Sequence, residues 1–131
     1  MKIKYQLLLY ILLLPVVSWG QKVLYVQSPD RKIELQVMIG QELEIAIIRN
    51  GTTVLQPSAI GMDVRFIGIL GENPKLKSVS RRSVTEKLSS PIYIKDEVDN
   101  IYNELTASFR GNYSVVFRCY NQGVAYRFVT D

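Results

Sequence analysis

The chain has 131 residues, 47% of them hydrophobic, with one cysteine and no histidine. Its formal charge of +4 comes from 16 Lys and Arg against 12 Asp and Glu, spread along the chain rather than clustered, which argues against a nucleic-acid partner. The lack of His excludes Ser-His-Asp and Cys-His nucleophiles and His-based zinc sites, and one Cys makes neither a thiolate cluster nor an internal disulfide.

Lys2 and Lys4 precede an apolar run over residues 7–17, followed by Ser18-Trp19-Gly20. A charged start, a short apolar stretch and small residues at the −3 and −1 positions describe a secretory signal peptide. A spanning helix needs about twenty apolar residues, and Pro15 interrupts this run. No Cys sits just after the cleavage point, where Gln21 stands, so an N-terminal lipid anchor through cysteine is not expected. The expected division is a signal peptide over 1–20 and one β-sandwich domain over 21–131, secreted or periplasmic and free of the membrane once cleaved. Cleavage leaves 111 residues with a charge of +2, which is one domain's worth of chain.

The mature chain then reads as strand after strand. Residues 22–27 are short and β-rich, and Ser28-Pro29-Asp30 is a turn in which Pro fixes φ and Asp bonds locally. Residues 32–39 alternate, with Ile33, Leu35, Val37 and Ile39 on one face and Lys32, Glu34 and Gln36 on the other, the period of a half-buried strand. Gly40-Gln41 turns the chain, and Leu43, Ile45 and Ile47 repeat the pattern. Asn50-Gly51 is a type I′ hairpin signal, with residues 52–55 returning. After Pro57-Ser58-Ala59-Ile60-Gly61, residues 62–69 read as one strand, with Val64 and Phe66 opposite Asp63 and Arg65. Gly71-Glu72-Asn73-Pro74 is a loop, residues 77–88 read as a polar strand containing the doublet Arg81-Arg82, and Ser89-Ser90-Pro91 breaks it. Residues 100–131 form a closing meander with turns at Gly111-Asn112 and Asn121-Gln122-Gly123. Its middle strand, 113–120, carries apolar side chains on both faces, as a strand between two layers would. Asn50-Gly51-Thr52 and Asn112-Tyr113-Ser114 match the glycosylation acceptor pattern, but both lie at turns where Asn is wanted for the backbone.

Five segments in order carry a resemblance. They are Ser28-Pro29-Asp30 with Lys32-Ile33, Pro57 to Gly61, Tyr102-Asn103-Glu104-Leu105, the strand ending Val116-Phe117-Arg118, and Asn121-Gln122-Gly123 leading into Tyr126-Arg127-Phe128. Together they resemble the N-terminal domain of family 97 glycoside hydrolases, secreted bacterial enzymes acting on α-glucosides or α-galactosides. The resemblance implies an all-β chain, an antiparallel β-sandwich that is part of a galactose-mutarotase-like β-super-sandwich, packed in the family against a catalytic (β/α)8 barrel. That barrel would be the partner missing from this chain, and the domain as given would be incomplete. The chain is shorter than the family between Arg81-Arg82 and the Asn-Glu-Leu strand. Mutarotases rely on His, which this chain lacks.

The resemblance also sets the candidate residues. Asn103, Glu104, Arg118 and Arg127 match the family motifs, either orienting the domain against the barrel or pairing across neighbouring strands. Paired carboxylates could in principle hydrolyse a glycoside, and Asp96, Glu97, Asp99 and Glu104 are the candidates. The first three lie in a charged, loop-like run that is ordinarily just solvated. The family's catalytic carboxylates belong to the barrel, so no catalytic residue is carried over. No metal ligand is carried over either, and calcium would belong to a full-length relative, leaving this chain without a cofactor. Tyr93, Tyr102, Tyr113, Tyr120 and Tyr126 are candidates for a sugar-stacking platform or for packing, and no sugar-binding residue is assigned. The expected function is a non-catalytic sandwich domain that braces the barrel and shapes one wall of the carbohydrate pocket. The alternatives are a free-standing carbohydrate-binding module and a structural or protein-interaction domain. About eight strands are expected at ordinary strand lengths, the last of them, 124–130, an unpaired edge that favours self-association.

Overall fold

The computed structural model describes residues 20–89, 91 and 97–131. The expected signal peptide, Tyr93 and Asp96 therefore lie outside the described residues, among which there is no helix.

Four strands, β1 (Lys22–Gln27), β2 (Ile33–Ile39), β3 (Leu43–Arg49) and β4 (Thr52–Ala59), form one antiparallel sheet in the order β1-β2-β3-β4. The hairpin of β5 (Met62–Val64) and β6 (Gly68–Leu70) stands apart as its own two-stranded sheet. The remaining four, β7 (Leu76–Ser89), β8 (Glu97–Phe109), β9 (Tyr113–Tyr120) and β10 (Val124–Thr130), form the second large sheet in the order β10-β9-β8-β7. The molecule is an all-β antiparallel sandwich.

The alternation of β2 decides which way the first sheet faces. Leu35 and Val37 are fully buried and Ile33 and Ile39 nearly so, meeting Leu105, Ala107, Val115, Phe117 and Cys119 of the second sheet in a single core. Each fully buried Leu or Phe contributes about 1.5–3 kcal/mol relative to exposure, so these few side chains hold the sheets face to face. Turn chemistry fixes the register. Asn50 and Gly51 take φ values of 49° and 77°, and Gly111 and Asn112 take 98° and 58°, the left-handed pair that joins neighbouring strands without splaying them. Both Asn residues of the glycosylation pattern therefore sit at positions the backbone requires.

Three expectations are corrected. Residues 62–69 are not one strand. The chain turns at Arg65-Phe66-Ile67, Val64 pairs with Gly68, and Phe66 is 94% exposed with φ at 68° rather than on an apolar face. Pro57 does not follow the hairpin but lies inside β4. β4 is an edge strand, and its pairing with β3 slips by one residue between Leu55 and Ser58, which accommodates a residue that has no N–H to donate. Glu97 and Asp99 are not in a loop, because they open β8, whose 13 residues pair with the 14-residue β7 in a long hairpin.

The inner face of β9 is Tyr113, Val115, Phe117 and Cys119, all buried in the shared core. Its outer face carries Val116, Arg118 and Tyr120, opposite Thr106, Glu104 and Tyr102 of β8. Among the described residues no second layer covers that face. Arg118 and the tyrosines shield it instead, with the Arg118 guanidinium 4.5 Å from the centre of the Tyr102 ring. β10 is an edge strand paired only with β9 among the described residues, and it leaves Tyr126 and Val129 exposed.

Candidate functional site

Three of the residues singled out by motif, Asn103, Glu104 and Arg118, come together on the two faces of β8 and its neighbour β9. On the inner face Asn103 joins the two sheets. Its amide nitrogen donates to the Gln27 carbonyl of β1 at 2.8 Å, while its oxygen accepts from the Ser83 hydroxyl of β7 at 2.7 Å. Arg81 also donates to a β1 carbonyl, that of Tyr25. The free edge of β1 is thus covered by side chains of the opposite sheet.

Beyond β1 the chain folds tightly on itself. The buried Ser28 hydroxyl donates to Asp30 at 2.6 Å and accepts from the Ile33 N–H at 3.0 Å, and Asp30 also accepts from the Lys32 N–H at 3.0 Å. These bonds, the Ser28 hydroxyl foremost, hold the Asp30 carboxyl below its usual range. The Asp30 N–H donates to the Asn121 side-chain oxygen at 2.9 Å. Two turns 91 positions apart in sequence are therefore one structural unit. Cys119 lies beneath it, its thiol directed at the Ile33 carbonyl at 3.7 Å, and burial pushes its pKa up to about 11.

On the outer face Glu104 is 7% exposed and lies between two arginines. One carboxylate oxygen accepts from Arg82 Nε at 2.7 Å. The other accepts from Arg118 Nε at 2.8 Å and from an outer Arg82 nitrogen at 3.3 Å. The register produces this arrangement, because Arg82, Glu104 and Arg118 are directly opposite one another on three adjacent strands. The Arg82 hydrogen bond lowers the Glu104 pKa most, burial works against it, and the Arg118 bond lowers it further. The carboxyl is thus held ionised, and each oxygen is already engaged. A general acid needs the opposite, a raised pKa and a free proton to give.

The other candidates do not join this cluster. Arg127 is opposite Val116 and makes no ion pair among the described residues. Glu97 pairs with Lys87 at 3.3 Å in open solvent, and Asp99 is exposed on β8. Tyr102 and Tyr113 are buried, Tyr102 and Tyr120 meet at 5.1 Å with a tilt of 47°, and Tyr126 packs edge-on against Phe128. These rings are packing groups rather than a flat platform. Arg81 and Arg82, a bare basic doublet in the sequence, are both committed to specific acceptors. Only the pairing offset between β7 and β8, which no local motif encodes, would have revealed them.

Two open clefts flank the cluster. One of about 550 Å³ is lined by Tyr25, Gln27, Arg81, Arg82, Ser83 and Asn103 among others, and one of about 350 Å³ by residues that include Ser28, Arg31, Thr85 and Tyr102. Among the described residues no three Asp, Glu, Cys or His side chains gather as a metal ion would require.

Fold and cluster together define an antiparallel β-sandwich domain whose buried charges are paired within the sheet. The family model described as Glycosyl-hydrolase 97 N-terminal matches residues 26–131, and the chain belongs to that family. It is 42% identical over 112 residues to a retaining alpha-galactosidase of Bacteroides thetaiotaomicron, covering 86% of this chain and 17% of that protein. It is 31% identical over 107 residues to a probable retaining alpha-galactosidase of Streptomyces bingchenggensis, covering 78% of this chain and 16% of that protein. Among solved structures it is similar to a family 97 enzyme of Pseudoalteromonas sp. strain K8 in complex with acarbose, at TM-score 0.71 and 25% identity over 80% of this chain and 17% of the other. It is also similar to a beta-arabinopyranosidase, at TM-score 0.74 and 27% identity over 82% of this chain and 18% of the other. The chain thus spans about one sixth of the length of the relatives it matches.

Proposed function

We propose that this chain is the non-catalytic N-terminal sandwich domain of a secreted glycoside hydrolase, bracing a catalytic (β/α)8 barrel and shaping one wall of its carbohydrate pocket. The state of Glu104 carries this reading. It is the buried carboxylate of the motif cluster, and its oxygens are spent on Arg82 and Arg118, which suits a strut and not an acid or nucleophile. The family match supports the reading, as does the small share of each relative that the chain covers. In such an enzyme the clefts around Asn103 and Arg82 would receive loops of the neighbouring domain, and any calcium would be bound by residues outside this chain.

The test is hydrolysis of nitrophenyl α-glucosides and α-galactosides by the purified chain, with and without calcium. No turnover is expected. Turnover that Glu104→Gln abolishes would mean that the motif cluster is itself an active site.

A further inference from the structure

The β5–β6 hairpin has buried roots and an apolar, uncovered tip. At its base Ile60 and Leu70 belong to the core, the Leu43 N–H donates to the Gly71 carbonyl at 2.9 Å and the Ile60 N–H to the Leu43 carbonyl at 2.8 Å. Tyr113 of the opposite sheet is buried in that same core. Gly71 has φ at 96°, and a Cβ there would lie 2.6 Å from the Ile60 carbonyl oxygen, so only glycine allows this closeness. The hairpin is therefore fixed to both sheets. Yet Met62, Phe66, Ile67 and Ile69 are all exposed, the last two by 61% and 55%. Four large apolar side chains within eight positions exceed the scattered apolar residues of an ordinary surface. Phe66 also holds a left-handed backbone with the Arg65 guanidinium 4.9 Å from its ring centre. That conformation is costly for a bulky residue and points the ring away from its own domain.

An acidic margin lies beside this patch. Glu42 and Glu72 are opposed in an isolated bridge and, with Glu44, line a crevice of about 360 Å³. A narrower crevice lined by Glu42, Glu72, Ile60 and Ile69 connects that margin to the hairpin. Like charges directly opposite each other destabilise a sheet, and a cation supplied from outside reverses that.

We propose that the β5–β6 hairpin is the seat of this domain on the body of a family 97 enzyme, taking an apolar surface rimmed by Lys or Arg. The inference rests on the function proposed above. It commits to that occupant because the relatives carry about five times more chain than this domain supplies, and because an apolar tip with an acidic rim calls for an apolar site with a basic rim. Large apolar side chains, aromatic ones above all, dominate the energy of such contacts.

The test is a chimera in which this chain replaces the matching segment of the Bacteroides thetaiotaomicron enzyme. It is made with the native hairpin, with Phe66→Asp, Ile67→Asp and Ile69→Asp combined, and with Val54→Asp on the exposed edge of β4 as a control. The native chimera is expected to be soluble and to hydrolyse an α-galactoside. The hairpin variant should be cleaved about tenfold faster in limited proteolysis as the domain undocks, while the Val54→Asp chimera matches the native one. In the chain by itself the hairpin substitutions should leave the circular dichroism and melting temperature unchanged. An insoluble or inactive native chimera sinks the proposed function and this inference with it. A working native chimera whose hairpin variant is equally protected overturns the inference alone. So does an equal effect of Val54→Asp, or an equal loss of stability in the isolated chain. If the chain by itself is a dimer that the hairpin substitutions disperse, the occupant is a second copy, and the inference fails.

Discussion

Replacing Glu104 by Gln preserves the shape of the side chain and removes its charge, which isolates what the carboxylate contributes. The carboxylate accepts three hydrogen bonds, at 2.7, 2.8 and 3.3 Å, from Arg82 and Arg118. An amide accepts with its oxygen only, so its NH2 group is turned against one of the two guanidinium groups. The loss is about one hydrogen bond to a charged group, about 1.5–3 kcal/mol. The Arg82 side chain is mostly exposed and recovers its partner in water, which removes most of its share. Arg118 is more enclosed and recovers less. About 2 kcal/mol remains, which lowers the melting temperature of a domain of this size by about 8 °C. Urea unfolding followed by circular dichroism at pH 7 measures it. The pH dependence supplies a second readout. The folded pKa of Glu104 is depressed, so its contribution is present above the unfolded value and is lost as pH falls through the folded one. From about pH 5 downward the native chain should therefore lose stability faster than the variant. A cycle with Arg118→Met should give a coupling of about 1 kcal/mol or more. A loss below about 0.5 kcal/mol at pH 7, with parallel pH profiles, would make the triad an ordinary surface pairing and refute the argument.

Two further outcomes are expected. The buried Cys119, with its pKa pushed up to about 11, should not react with a thiol reagent at pH 8 until urea unfolds the chain, and labelling at full rate in the absence of urea would contradict its place in the core. Secreted material should begin at Gln21, which N-terminal sequencing or intact mass would establish, whereas protein retaining Met1 to Gly20 in a membrane would overturn the proposed export.

What the sequence settled by itself was local. The strict alternation from Ile33 to Ile39 demanded a strand with one buried face, and the structure buries those residues against the second sheet. Asn50-Gly51 demanded a left-handed turn and Gly111-Asn112 a turn, and both form. The all-β sandwich and the family were legible because period-two patterns, turn residues and ordered motifs are written in consecutive positions. Most of what the sequence left undecided depends on residues far apart in the chain. Arg65-Phe66-Ile67 contains no Gly, Asn or Pro, and Gly68 just after it was the one local turn residue. The Ile67 N–H bond to the Val64 carbonyl at 3.0 Å and left-handed backbones at Phe66 and Gly68 make the turn, against the β preference of Phe66 and Ile67. Glu97 and Asp99 looked like loop residues because charge and polarity are shared by loops and by exposed hairpins, and only the pairing of β8 with β7 distinguishes them. The Arg82–Glu104–Arg118 row depends on the register of three strands, and the Asp30–Asn121 bond on packing that unites two distant turns. Register and sheet packing are collective, since a shift of one residue would send every side chain to the opposite face. No single segment encodes them, and they emerge only when the two sheets close on a common core.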